Sequence, residues 1–194
     1  MILVNRVLAG LDNRVGEVVL LSVEFVGPRV GEELRDDGLA SIGIACLLIL
    51  AYIAFRFSSR FAPGAVVALV HDVGITAGIF VIFGLEFDLR VLAALLAILG
   101  YSLNDTIIIY DRIRENLTTR RQDSFADMLN LSINDCLSRT AITSVTTLMA
   151  VLALMIWGGE VIRSFTITLM IGVVVGTYSS IFIASPVLFY GHEY

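Results

Sequence analysis

Charge is what this sequence has least of. Only 16% of its 194 residues are Asp, Glu, Lys or Arg, well below the quarter or so that soluble domains carry. That scarcity rules out a water-soluble globule. Positive charge is scarcer still: 13 basic residues, all arginine, stand against 18 acidic ones for a net charge of -5. No basic excess is left to neutralise phosphates, so nucleic acid is set aside as a partner. The two cysteines, Cys46 and Cys136, cannot build a disulfide framework, one lying inside an apolar run and the other in a polar loop. Neither has neighbours that would ligate metal, and no metal or cofactor is expected. What the chain has in abundance is apolar side chain: 57% hydrophobic residues and a mean hydropathy of +0.88.

A helix needs roughly 20 apolar residues to cross about 30 Å of hydrocarbon. Five stretches qualify, at about 38–55, 61–85, 89–110, 140–157 and 161–190. The fold class expected is therefore an all-α polytopic membrane domain over 38–194. Positive charge stays on the cytoplasmic side during insertion, which places the loop with Arg56 and Arg60 and the loop with Arg112, Arg114, Arg120 and Arg121 in the cytoplasm. The C-terminus then lies in the cytoplasm and the first 37 residues outside. That outer segment has four arginines and seven acids. Within it, Met1 to Leu11 has helical spacing and Glu17 to Val26 reads as a strand, the α/β remnant of a larger outer domain. Nothing before it resembles a signal or anchor, so an upstream part is expected to be missing. Between the third and fourth spans, residues 124–137 read as an interfacial helix capped by Ser124.

Asp105 interrupts an apolar run and costs several kcal/mol in hydrocarbon unless partnered. It is expected to be the only acidic residue deep in any span. Arg139 starts the next span from the same side, so the two are expected to face one another or one shared cavity. A permanent ion pair that fixes register is one reading. The other is a proton site: low dielectric favours the neutral acid, a guanidinium favours the ionised one, and relative motion switches between them. Tyr101, Ser102, Asn104, Thr143, Thr146 and Thr147 surround the pair with polar groups, the threonines serving either as a water relay or only as bonds to their own backbone. His71 and Asp72 open the second span near its cytoplasmic edge, where they would admit protons or simply be solvated. Gly74 with Gly78, and Gly172, Gly176 and Ser180, are spaced four apart as small-residue stripes for helix packing.

Four segments, VEFVGPRVGEEL from Val23, VALVHDVGITAG from Val67, GYSLNDTIIIYDRIREN from Gly100 and LSRTAITSVTTLM from Leu137, together resemble SecF-like members of the SecD/SecF family of the RND superfamily. The resemblance implies six spans with a large outer domain after the first, of which this chain matches the end of the domain and five spans. It implies no enzyme but an accessory subunit of protein export in the bacterial inner membrane. That subunit works with SecD, the SecYEG channel and YajC on unfolded exported polypeptide, and is driven by the proton gradient. The family's motif aspartate and arginine fall on Asp105 and Arg139. Two alternatives stay open: half of a proton-coupled small-molecule exporter, and an intramembrane aspartyl protease, which would need a second deep aspartate.

Overall fold

The computed structural model describes residues 28–57, 61–85, 87–119 and 124–190. The helix and strand expected between Met1 and Val26 lie outside them, and among the described residues there is no strand. Backbone contacts divide the chain into Met1–Asp36 and Asp37–Tyr194.

Helix α1 runs Pro28–Arg56, α2 Ala62–Ile82, α3 Leu89–Thr119 and α4 Phe125–Trp157. A 3₁₀ turn at Glu160–Ile162 leads into α5, Arg163–Ser179, which passes through a π-helical turn at Ser180–Ala184 into α6, Ser185–Tyr190. Among the described residues, five segments are long and apolar enough to cross a membrane: Asp36–Arg56, Ala62–Ile82, Leu89–Thr119, Phe125–Trp157 and Glu160–Tyr190.

Two boundaries differ from expectation. The polar stretch 111–138 is helical over 111–119 and 125–138: α3 continues to Thr119, and the interfacial helix expected at 124–137 is the first part of α4. Ser124 does cap it, its hydroxyl accepting the Asp127 N–H at 3.2 Å. The helix then runs on because its buried side chains Met128, Ser132, Cys136, Thr140 and Ser144 fall on one line four residues apart, with no break at the polar–apolar junction. Cys136 is accordingly a buried helical residue rather than a loop thiol.

Helices α3 and α5 are the central pair, each packing on both α2 and α4. One apolar cluster joins Ile53, Phe57, Phe61, Ala65, Ile109, Tyr110, Ile113, Met128 and Leu188; a second joins Phe80, Val91, Leu95 and Ile98. Helix α1 stays peripheral, with Leu39, Leu47, Leu48 and Phe55 exposed as a lipid-facing surface requires. At the end opposite the α3–α4 connection, Asp88 caps α3 by accepting the Val91 N–H at 2.9 Å. It also accepts the Ser164 hydroxyl, while Arg90 donates to Asp88 and to the Val161 carbonyl, both at 2.6 Å. The connections that lead into α3 and α5 are thereby fastened together.

The π turn has a local cause. Pro186 has no N–H to return to the Phe182 carbonyl four residues back, so regular α-helical bonding is interrupted where the π turn lies. The Ala184 carbonyl accepts the Tyr110 hydroxyl at 3.1 Å, and Ser185 donates to the Ser180 carbonyl at 3.3 Å.

Candidate functional site: a polar layer inside the bundle

Between the two apolar clusters the helices bury oxygen instead of carbon. Asp72 and Thr76 come from α2, Ser102, Asp105 and Thr106 from α3, Thr140 and Ser144 from α4, and Ser179 and Ser180 from the end of α5 and its π turn. All are buried, and most lie between neighbours that belong to the clusters: Ala68 and Phe80 on α2, Ile98 and Ile109 on α3. Such a layer weakens packing relative to an apolar one, and each polar group in it needs a partner.

Most find one. The Ser102 hydroxyl donates to Asp72 Oδ2 at 2.5 Å, and His71 Nδ1 lies 3.1 Å from Asp72 Oδ1. Tyr101 donates to Ser144 Oγ at 3.1 Å, and Ser144 shares a 2.7 Å bond with Thr177. Ser179 reaches the Ala68 carbonyl, and Thr106 bonds the Ser102 carbonyl one turn back. Among the described residues, three buried oxygens have no protein partner: Thr76 Oγ1, Asp105 Oδ2 and Thr140 Oγ1.

Several expected placements change. Asp105 and Arg139 form no ion pair. Asp105 is 1% exposed, whereas Arg139 is exposed and lines a cavity of about 530 Å³ with Arg56, Asp111, Arg112, Glu115 and Asp135. Arg139 sits one residue off the inward line of α4, which rotates it about 100° from Thr140. It remains close enough for its charge to act on the Asp105 carboxyl through space. The cavity's other charges are two arginines against three acids: Arg112 donates to Glu115 and Asp135 at 2.7 Å, and Arg56 lies 3.8 Å from Asp111.

Asp72 is not at the membrane edge. It is fully buried ten residues inside α2, roughly 15 Å from Ala62, so Asp105 is not the only deep acid. Its position was readable from the spacing Gly64, Ala68, Asp72, Thr76 and Phe80, one buried line at four-residue intervals. Thr143, Thr146 and Thr147 donate to carbonyls of their own helix at 2.8–3.1 Å, and Asn104 is exposed. The hydroxyls that face inward are those of Thr140 and Ser144.

Gly172 and Gly176 press α5 onto α3: a Cβ would overlap Ile98 Cδ1 at the first and lie 3.0 Å from Ser102 Cβ at the second. Ser180, next on that line, is buried in the π turn and donates to the Thr177 carbonyl. Gly74 and Gly78 touch no other described helix, having nothing within 4 Å of a Cβ, because both lie off the inward line of α2. The glycine that matters there is Gly64, where a Cβ would overlap the Tyr110 hydroxyl and meet the Ala184 carbonyl at 2.7 Å.

Five apolar helices around a buried acid–hydroxyl layer define a multi-pass membrane protein with ionisable groups in its interior, the arrangement in which polar side chains repay their burial by function. The chain belongs to the family described as "Protein export membrane protein SecD/SecF, C-terminal", whose profile matches residues 7–193. It is 53% identical over 174 residues to the protein translocase subunit SecF of Desulfurispirillum indicum, covering 88% of this chain and 55% of that one. With the SecF of Pseudomonas aeruginosa it shares 52% over 169 residues, 87% of this chain and 55% of the relative. The chain thus spans about half the length of these relatives. A crystal structure of SecDF, a translocon-associated membrane protein from Thermus thermophilus, superimposes with a TM-score of 0.89 at 43% identity, over 98% of this chain and 26% of that one. A SecDF structure in a super-membrane-facing form gives 0.80 at 39% identity, over 97% of this chain and 26% of that one. Family and helices together place the chain as a multi-pass protein of the bacterial inner membrane.

Proposed function

We propose that this chain is the energy-coupling membrane part of a Sec protein-export subunit, acting beside SecD and the SecYEG channel, with YajC as a further associate. It is not itself an enzyme. Its substrate is unfolded polypeptide leaving the cytoplasm, its N-terminal segment lies on the outer side, and its C-terminus lies in the cytoplasm. A proton enters the buried layer, binds Asp105 and changes that acid's interaction with Arg139; the helices shift, and the movement assists late steps of export.

One observation supports this above the others. Asp105 is buried with an unpartnered oxygen in a polar layer, while Arg139, the cation whose charge acts on it, is exposed outside the packed core. A permanent register-fixing pair would have the guanidinium in contact; a switch needs it separable. One proton crossing 100 mV supplies about 2.3 kcal/mol, enough to bias an equilibrium by tens of fold. The test is export into inverted membrane vesicles with the gradient present and collapsed, using the full-length subunit. Asp105→Asn removes the gradient's contribution while leaving ATP-driven export in place. Gradient-dependent export that survives the substitution refutes the scheme.

A further inference from the structure

Asp72 is the buried ionisable group that this scheme leaves unused. It is 0% exposed at mid-helix, and no guanidinium among the described residues touches it. Its two contacts are the Ser102 hydroxyl and the imidazole of its neighbour His71, which is itself part-exposed. An acid at that depth is stable when a cation offsets it or when it holds a proton.

Ser102 links it to Asp105. The two α3 residues are three apart, on one helix face with about 4.5 Å of rise between them. Ser102 donates directly to Asp72, so a single hydroxyl and less than one turn of α3 stand between the two acids. Both sit in the same layer, and the unpartnered Thr76 Oγ1 follows Asp72 by one turn. The ionisable groups that the described residues present to Asp72 are few. Its own helix gives His71, and α3 gives Asp105 and, farther along, Tyr110. At this depth α5 and its π turn offer only the hydroxyls of Ser179 and Ser180, Tyr178 being exposed, and α6 carries Tyr190 exposed at its far end. Two like charges with no arginine between them disfavour double ionisation.

We infer that Asp72 is a second proton-binding carboxylate, coupled to Asp105 through Ser102, so that the pair carries one shared proton in the packing seen here. Uptake takes one proton from water and leaves the pair at a charge of -1; release returns it and leaves -2, the state that Arg139 is placed to offset. The inference rests on the proton-coupled reading above and adds a second titrating residue to it.

The test is infrared titration of the protonated-carboxyl C=O stretch in the full-length subunit assembled with SecD in lipid, comparing wild type, Asp72→Asn, Asp105→Asn and Ser102→Ala. Wild type is expected to titrate in two steps. Each Asp→Asn variant leaves one step, displaced from both wild-type positions by about one pH unit or more. Asp72→Asn keeps an acceptor for the Ser102 hydroxyl, which preserves the contact. Should that variant fail to assemble, Ser102→Ala decides the matter, because it changes the separation of the two steps without removing either acid. A single wild-type step, an Asp105 step unmoved by Asp72→Asn, or an unaltered separation in Ser102→Ala overturns the coupling. If coupling fails while Asp105→Asn still abolishes gradient-dependent export, the export scheme stands alone; if that export survives Asp105→Asn, the scheme itself has failed.

Discussion

Arg139 acts on Asp105 without touching it: the acid is sealed in the core, and the guanidinium stands at the wall of a charged cavity one residue off the packed line of its helix. This separates stability from coupling. Arg139→Gln is expected to alter unfolding by only about 0.5 kcal/mol, the usual range for an exposed side chain without an ion pair, while gradient-dependent export is lost. Denaturation in detergent together with vesicle export checks both. A destabilisation of about 3–5 kcal/mol would instead mark a buried pair broken in half.

The glycines of α5 and α2 should behave oppositely. Gly172→Ala puts a methyl where Ile98 already is, costing about 1–3 kcal/mol, and the additional change Ile98→Val relieves part of that loss. Gly74→Ala meets open space and should be neutral or stabilising by up to about 1 kcal/mol. Thermal melts of the three variants give the comparison.

Acid should loosen the rim where α3 begins. Partial burial of Asp88 opposes its ionisation, but the Val91 N–H, the Arg90 guanidinium and the Ser164 hydroxyl outweigh that and hold the carboxyl below the usual carboxylate range. A group depressed in the folded state contributes stability that is complete above its unfolded value, near 3.9, and lost as pH falls through the folded one. Hydrogen exchange at Val91 is therefore expected to accelerate below about pH 4 in wild type and to lose this dependence in Asp88→Ala. That variant also gives up a helix cap, at a cost of about 1 kcal/mol.

Tyr110 bonds α3 to the π turn through the Ala184 carbonyl. Tyr110→Phe keeps the packed ring but orphans that carbonyl, so a loss of about 1–3 kcal/mol is expected by urea unfolding. No change would mean that the π turn stands without it.

Most of the bundle was legible because membrane solubility writes itself into composition: the apolar runs at 61–85 and 161–190 give spans within a few residues of the segments seen. Helical continuity past the apolar runs was not, since an apolar window stops where lipid stops while backbone bonding does not; α3 and α4 both outrun their hydrophobic stretches. Asp105 stood out because its neighbours are isoleucine and leucine. Asp72 was misplaced because adjacent His71 gives it the look of an interface residue, and only the four-residue line from Gly64 to Phe80 reveals its depth. Rotation about a helix axis is the remaining gap. One residue separates inward Thr140 from outward Arg139, and no count of hydrophobicity distinguishes them when both neighbours are polar.

The unbroken length of α4 has a mechanical meaning. Thirty-three residues make a rod of about 50 Å, reaching from the α3–α4 connection to Trp157, with Thr140 and Ser144 close to its midpoint. A tilt of about 10° pivoting there would carry each tip roughly 4 Å in opposite directions. A see-saw of this kind delivers an event at its fulcrum to both faces of the bilayer at once, with no hinge along the way to absorb it.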